Sequence, residues 1–350
     1  MKTIASIALR PGMTLGEDVI WQDNVLYPAG TVLTDAIIGE FNRYSIMWAT
    51  VTEDADFAST HYEKARFSSG FKSFEEMHAA SLIKYRQLMH DFATAWEIIP
   101  DEELLDIYDG LRSTYPDFVA LIDYLYKLMA DEDDLTYAHS MNSALLAGAF
   151  AEWSSMPEED RKNLILTGFY YDIGKLKLPN EILWRPGKLT DKEFEIVKRH
   201  TTIGWAMVGN AGLDPRIQET ILTHHERMDG SGYPNNAKGD EICLYARYIG
   251  IIDTYTAMAS PRPHRAAFTP LQILEHFEKH MVKYDAEILV PLMENIAKAQ
   301  IGSTVCLNDG SVWDVLSVNP DCYARPVLKN KDSQLLDLRD HPGLEIVKMM

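Results

Sequence analysis

The sequence predicts a mainly α protein, a helical bundle with small β-containing modules at its N- and C-terminal ends. Three observations carry that reading. Between about residues 58 and 300, apolar residues recur at helical spacing, as in PRIQETILT, where Ile217 is followed one turn later by Ile221 and Leu222. The breaks in this pattern are loops, and they carry most of the histidines. The first 57 and last 50 residues read differently, with Pro/Gly punctuation and short stretches of β-type alternation.

In chain order, residues 1–57 form a small α/β module. ALRPGMTLGEDVIWQDNVLYPAGTVLTDAIIGEFNRYSI holds two Pro/Gly punctuations, an alternation at Val25 and Tyr27, and a helix from Thr34 to Tyr44. Residues 58–130 form a helical connecting region. Its piece ALIDYLYKLMA is apolar around much of its circumference and reads as a buried helix. Residues 131–300 form the main helical domain. Residues 301–350 are β-rich: STVCLNDGSVWDVLSV reads as strand, Asn308-Asp309-Gly310 turn, strand. Neither an internal repeat nor a low-complexity tract interrupts this order.

A hydrophobic content of 46% over 350 residues marks a globular chain with at least one large core. No apolar run approaches the roughly 20 residues that cross a bilayer, and MKTIASIALRPGM lacks the apolar stretch of a signal peptide. Three cysteines, Cys243, Cys306 and Cys322, without metal-type spacing fit reduced thiols in a cytoplasm. The net charge of -19 argues against a DNA or RNA polymer and against an anionic membrane surface. A small anionic ligand would need a local basic cluster.

The stretch THHERMDGSGYP, residues 223–234, places adjacent His224 and His225 where a helix gives way to a glycine-rich loop. Two neighbouring imidazoles are poor core residues, because both must be satisfied. Other metal-type residues sit on the surrounding helices. His139 lies on a small-residue helix, Asp172 at the end of an apolar one, His200 closes EFEIVKRH, and Asp253 sits within YARYIGIIDTYTAM. Singly, each has an ordinary structural role: a core histidine, or an aspartate that caps a helix or pairs with Arg247 or Arg265. Jointly, four imidazoles and two carboxylates suit iron, manganese or zinc, and helical bundles build dinuclear sites this way.

The segment from about 135 to 285 resembles an HD-GYP domain, the bacterial subgroup of the HD metal-dependent phosphohydrolases. The resemblance rests on AHS at 138–140, YDIGK at 171–175, LPNEILWRPGKLTDKEFEIVKRHTTIGW at 178–205, HHERMDGSGYP at 224–234 and ARYIGIIDTYTAMASPRPHR at 246–265. It implies an HD-type helical bundle and hydrolysis of cyclic di-GMP to the linear dinucleotide or GMP. It also implies metal ligation by His139, Asp172, His200, His224, His225 and Asp253, with Asp172 bridging. Lys175 would stand beside metals and phosphate, Tyr233 would shape the ligand pocket, and Arg262 and Arg265 would contact phosphate or guanine. Leu135 occupies the place of a glutamate that binds a third metal in some members, so two metals, iron or manganese, are the ceiling. The terminal modules resemble short appendages found beside such domains.

Tyr171 stands where the family has the histidine of its His-Asp pair; Thr256 and His264 are lesser departures. A phenol with pKa about 10 must lose a proton before it binds a metal. A ferric ion could enforce that loss; otherwise Tyr171 turns away and one metal site is weakened. Two functions therefore fit: a cyclic di-GMP phosphodiesterase, or a degenerate receptor that holds cyclic di-GMP or a partner protein without turnover. A homo-oligomer is compatible with either.

Overall fold

The computed structural model describes residues 1–6, 9–22, 24–52, 67–128, 135–183, 185, 187–260 and 267–349. The chain divides into two compact units, Met1–Phe67 and Ser68–Met350.

In the first unit, β1 (Lys2–Ala5) pairs antiparallel with β4 (Trp48–Val51), and β2 (Val19–Trp21) pairs with β3 (Asn24–Tyr27). Helix α1 (Asp35–Arg43) lies where the sequence places a helix. Leu15, Leu33, Phe41 and Val51 are its most buried apolar side chains.

The second unit is the bundle expected from the sequence. It begins with α2 (Ser69–Ala95), α3 (Asp101–Arg112) and α4 (Phe118–Lys127), followed by α5 (Leu135–Trp153) and α6 (Glu158–Tyr170). Next come four short helices: α7 (Asn180–Leu183), α8 (Asp191–Lys198), α9 (His200–Val208) and α10 (Pro215–Thr223). Helices α11 (Leu244–Ala259), α12 (Pro270–Lys279) and α13 (Ala286–Ala299) complete the bundle. Five strands then form one antiparallel sheet in the order β8-β7-β6-β5-β9: β5 (Thr304–Leu307), β6 (Val312–Ser317), β7 (Val327–Lys329), β8 (Leu335–Asp337) and β9 (Ile346–Met349).

Local chemistry fixes the element ends. Thr190 and Glu193 form a capping box at the start of α8. Asp214 accepts from the Arg216 amide and Pro215 opens α10. The Asn308–Gly310 turn joins β5 to β6 as its residues predict.

One apolar core runs through the whole second unit. It includes Phe74 and Tyr85 of α2, Leu104 of α3, Leu121 of α4, Leu145 of α5, Phe169 of α6 and Ile249 of α11. Phe277 of α12, and Val305 and Leu328 of the sheet, belong to the same core. The Glu278 carboxylate accepts from the Ala324 amide at 3.1 Å and so pins the β6–β7 connection to α12. Among the described residues, no helix is long and apolar enough to cross a membrane.

Candidate metal centre

Six side chains that lie far apart in sequence converge in the second unit. His139 sits in the first turns of α5, Asp172 just beyond α6, His224 and His225 directly after α10, and Asp253 in α11. His200 opens α9 rather than closing a helix, because α8 ends at Lys198. Arg247 pairs with Asp240 at 3.0 Å and Asp285 at 3.1 Å rather than with Asp253; Arg265, the other partner considered, lies outside the described residues.

Two groups of candidate ligand atoms result, and Asp172 belongs to both. One is Asp172, His200, His224 and His225; the other is His139, Asp172 and Asp253. Asp172 Oδ1 lies 3.4 Å from His200 Nε2 and 3.7 Å from His224 Nε2, while its Oδ2 lies 3.7 Å from His139 Nε2. Asp253 reaches His139 Nε2 at 3.0 Å and His225 Nδ1 at 3.7 Å.

The hydrogen bonds decide what this arrangement fits. His200 Nδ1 donates to the Val197 carbonyl at 2.7 Å, and His224 Nδ1 donates to the Ile221 carbonyl at 3.0 Å. A carbonyl can only accept, so both rings carry their proton on Nδ1 and turn a lone pair outward on Nε2. Those two Nε2 atoms are 3.3 Å apart. Asp172 Oδ1, facing them, is buried without a hydrogen-bond partner. Three electron pairs converge there on a point with no donor, an arrangement that a cation stabilises and little else does.

The electrostatics agree. Burial lowers all three imidazole pKa values: His200 to about 4, His224 below its ordinary range and His225 well below it. They are therefore neutral at pH 7, the form in which an imidazole can bind a metal. Burial works to raise Asp172, but Lys175 and then His200 outweigh it, and the carboxyl stays below its usual range. Asp253 is held well below that range against burial, chiefly by the hydrogen bond from His139.

Around this core the chain supplies a cation and an aromatic wall. Lys175 Nζ sits 2.5 Å from Asp172 Oδ2. Tyr233 stacks on His225 at 4.6 Å between centroids, with Lys198 Nζ 5.7 Å above its ring. Two glycines allow the backbone to close in. A Cβ on Gly174 would fall 1.9 Å from the His200 carbonyl oxygen, and one on Gly232 would fall 2.4 Å from that of His225. Arg262 and Arg265, the basic residues expected at the ligand, and His264 lie outside the described residues.

Tyr171 is fully buried, and its hydroxyl lies 3.1 Å from Ser143 Oγ and 3.4 Å from Asp253 Oδ1. Its hydroxyl thus meets one member of the second group, Asp253, and its ring lies edge-on to His224 of the first, 5.0 Å between centroids. Burial, then the Asp172 and Asp253 charges, push its phenol well above the usual range.

Residues 123–288 match the HD domain family. Residues 123–288 are an HD domain. Curated proteins similar to this chain include a cyclic di-GMP phosphodiesterase of Pseudomonas aeruginosa, 31% identical over 202 residues, or 56% of this chain and 48% of that protein. A cyclic di-GMP phosphodiesterase of Thermotoga maritima is 37% identical over 155 residues, 43% of this chain and 42% of its own length. A 3'3'-cGAMP-specific phosphodiesterase of Vibrio cholerae is 33% identical over 167 residues, 47% of this chain and 38% of its own length. The chain thus spans less than half the length of each of these relatives.

The HD domain also uses residues that the sequence reading passed over. Glu226, buried next to the histidine pair, accepts from the Asn235 amide at 2.6 Å and the Ala237 amide at 3.0 Å, which ties down the loop that carries Tyr233. Its signal was a carboxylate placed where a helix ends and a glycine-rich loop exposes amides. Ser143, one helical turn beyond His139, donates to the His139 carbonyl at 2.9 Å; the i, i+4 spacing was its only mark.

Proposed function

We propose that the HD domain is a metal-dependent phosphodiesterase that opens cyclic di-GMP to the linear dinucleotide and, by a second hydrolysis, to GMP. The observation that carries this reading is the pair of ligand groups joined by Asp172, with buried lone pairs facing one another where no donor lies. Relatives that are named for hydrolysing cyclic dinucleotides support the substrate class.

His200, His224, His225 and Asp172 hold one metal, and His139, Asp172 and Asp253 the other, with iron or manganese suited to the mixed nitrogen and oxygen donors. When bound, such metals supply an activated water and neutralise phosphoryl charge. The chain's own residues do the rest. Asp172 keeps both positions in register. Lys175, partly exposed beside Asp172, takes a non-bridging phosphate oxygen and offsets charge as the P–O ester bond breaks. Tyr233 offers a ring face at the mouth, where a guanine stacks. Arg262 and Arg265 supply the local positive charge that a net charge of -19 otherwise denies an anionic ligand.

The test is product analysis of cyclic di-GMP, with 3'3'-cGAMP alongside, incubated with iron- or manganese-loaded full-length protein. Appearance of linear dinucleotide or GMP, lost in Asp172→Ala, is expected. Tight binding without turnover would replace the enzyme with a receptor. Arg262→Ala should weaken cyclic di-GMP binding about ten- to a hundred-fold, the loss of one charge-assisted contact; equal affinity would remove Arg262 from the site.

A further inference from the structure

The two ligand groups differ in chemistry, and Tyr171 stands beside the second of them. The first offers three imidazole nitrogens and one carboxylate; the second offers one imidazole and two carboxylates. Nitrogen-rich sets suit zinc, iron, cobalt or nickel, whereas carboxylate-rich sets suit manganese or magnesium.

Proton accounting shows what Tyr171 does instead of ligating. Ser143 Oγ donates to the His139 carbonyl at 2.9 Å, and Thr256 Oγ1 donates to the Ile252 carbonyl at 2.9 Å. Ser143 Oγ also lies 3.1 Å from Thr256 Oγ1 and 3.1 Å from the Tyr171 hydroxyl. Each hydroxyl has one proton, and two of the three are engaged by backbone carbonyls. The Tyr171 proton is the one left for Ser143 Oγ or for Asp253 Oδ1, 3.4 Å away. That one proton ties Tyr171 either to Ser143, on the helix that carries His139, or to the carboxylate of Asp253, and Thr256 packs beside Ser143 on the helix of Asp253.

We propose that Tyr171 makes the two cation positions unequal: the first holds a borderline metal such as Zn2+ tightly, while the second selects Mn2+ or Mg2+. At that second position Tyr171, Ser143 and Thr256 serve as a hydroxyl shell that positions His139 and Asp253. Tyr171 is then a positioning residue, not a ligand. This rests on the metal-binding part of the function proposed above, but not on turnover.

The test is metal counting on the full-length chain. Chelator-stripped protein is refilled with Zn2+ and desalted, then titrated with Mn2+ followed by electron paramagnetic resonance. Wild type should retain one Zn2+ per chain and bind one Mn2+ beside it. Tyr171→Phe should keep the Zn2+ and lose roughly 10- to 100-fold in Mn2+ affinity, the usual effect of removing an outer-shell partner. Tyr171→His should retain two Zn2+. Two equally tight Zn2+ in wild type would overturn the proposal while leaving the phosphodiesterase reading intact. So would a Tyr171→Phe protein with unchanged Mn2+ affinity. Unequal binding without dinucleotide turnover would do the reverse, and absence of any bound metal would sink both. Should Tyr171→His fail to fold, wild type and Tyr171→Phe still decide.

Discussion

Glu226 provides the sharpest test of how the loop beside the metal centre is held. Its side chain is 4% exposed and its two oxygens accept from two different backbone amides, Asn235 and Ala237. Hydrogen bonds to a carboxylate contribute about 1.5–3 kcal/mol each, so the pair is worth about 3–6 kcal/mol if both amides are orphaned. Asn235 is exposed, however, so water can replace part of what is lost. Glu226→Ala should therefore destabilise the protein by about 2–4 kcal/mol. Glu226→Gln keeps one acceptor oxygen and turns an amide NH2 toward the other backbone donor, so it should cost about half as much. Equilibrium urea unfolding gives both numbers from the shift in midpoint at constant slope. Hydrogen exchange should localise the change to residues 233–238, since the carboxylate spans that loop. If Glu226→Ala shifts stability by less than about 0.5 kcal/mol, or if Gln is as harmful as Ala, the bond-by-bond account fails.

Three further outcomes follow from the site. Replacing His224 and His225 together by Ala should strip the first metal position, read by elemental analysis; retention of a full complement would remove both from the ligand set. The metal-free protein should lose stability as pH falls from about 6.5 toward 4. His200 binds its proton near 4 when folded and near 6.5 when unfolded, so the unfolded state takes up protons first. That single group contributes about 3 kcal/mol above pH 6.5, lost through this window, and a flat stability profile there would refute it. Lastly, with a net charge of -19, raising salt from low ionic strength to about 0.15 M should speed association of an anionic dinucleotide by screening long-range repulsion. Stopped-flow rates that fall with salt would show instead that a local positive field steers the ligand.

The helices, the β5–β6 hairpin and the six converging side chains were legible because each has a local or a motif-level signature. Apolar spacing marks α10, the Asn-Asp-Gly turn marks the hairpin, and the His and Asp residues recur in a recognisable order. What was not legible depends on contacts distant in sequence. Nothing local announces that α8 stops at Lys198 and that His200 opens a new helix; the Gly174 turn packing against the His200 carbonyl fixes its place. Nor does sequence separation reveal that Tyr171 meets Ser143 and Asp253, since these lie 28 and 82 residues away. Glu226 was visible only as one more charge in a charged loop.

Burial shapes this site with opposite consequences for its two kinds of ring. Removing water disfavours the charged form of any group. For His200, His224 and His225 the charged form is the one that cannot bind a metal, so burial prepares them as ligands. For Tyr171 the charged form is the one that could bind, so the same surroundings oppose ligation and favour a neutral donor. A tyrosine in place of an imidazole at this depth is therefore not a weaker version of the same ligand. The Ser143 hydroxyl and the Asp253 carboxylate instead give the phenol a hydrogen-bonded place in the core. On the proposal above, the cost of that change falls chiefly on the second metal position, where the phenol hydroxyl meets Asp253, while its ring only packs edge-on to His224 of the first.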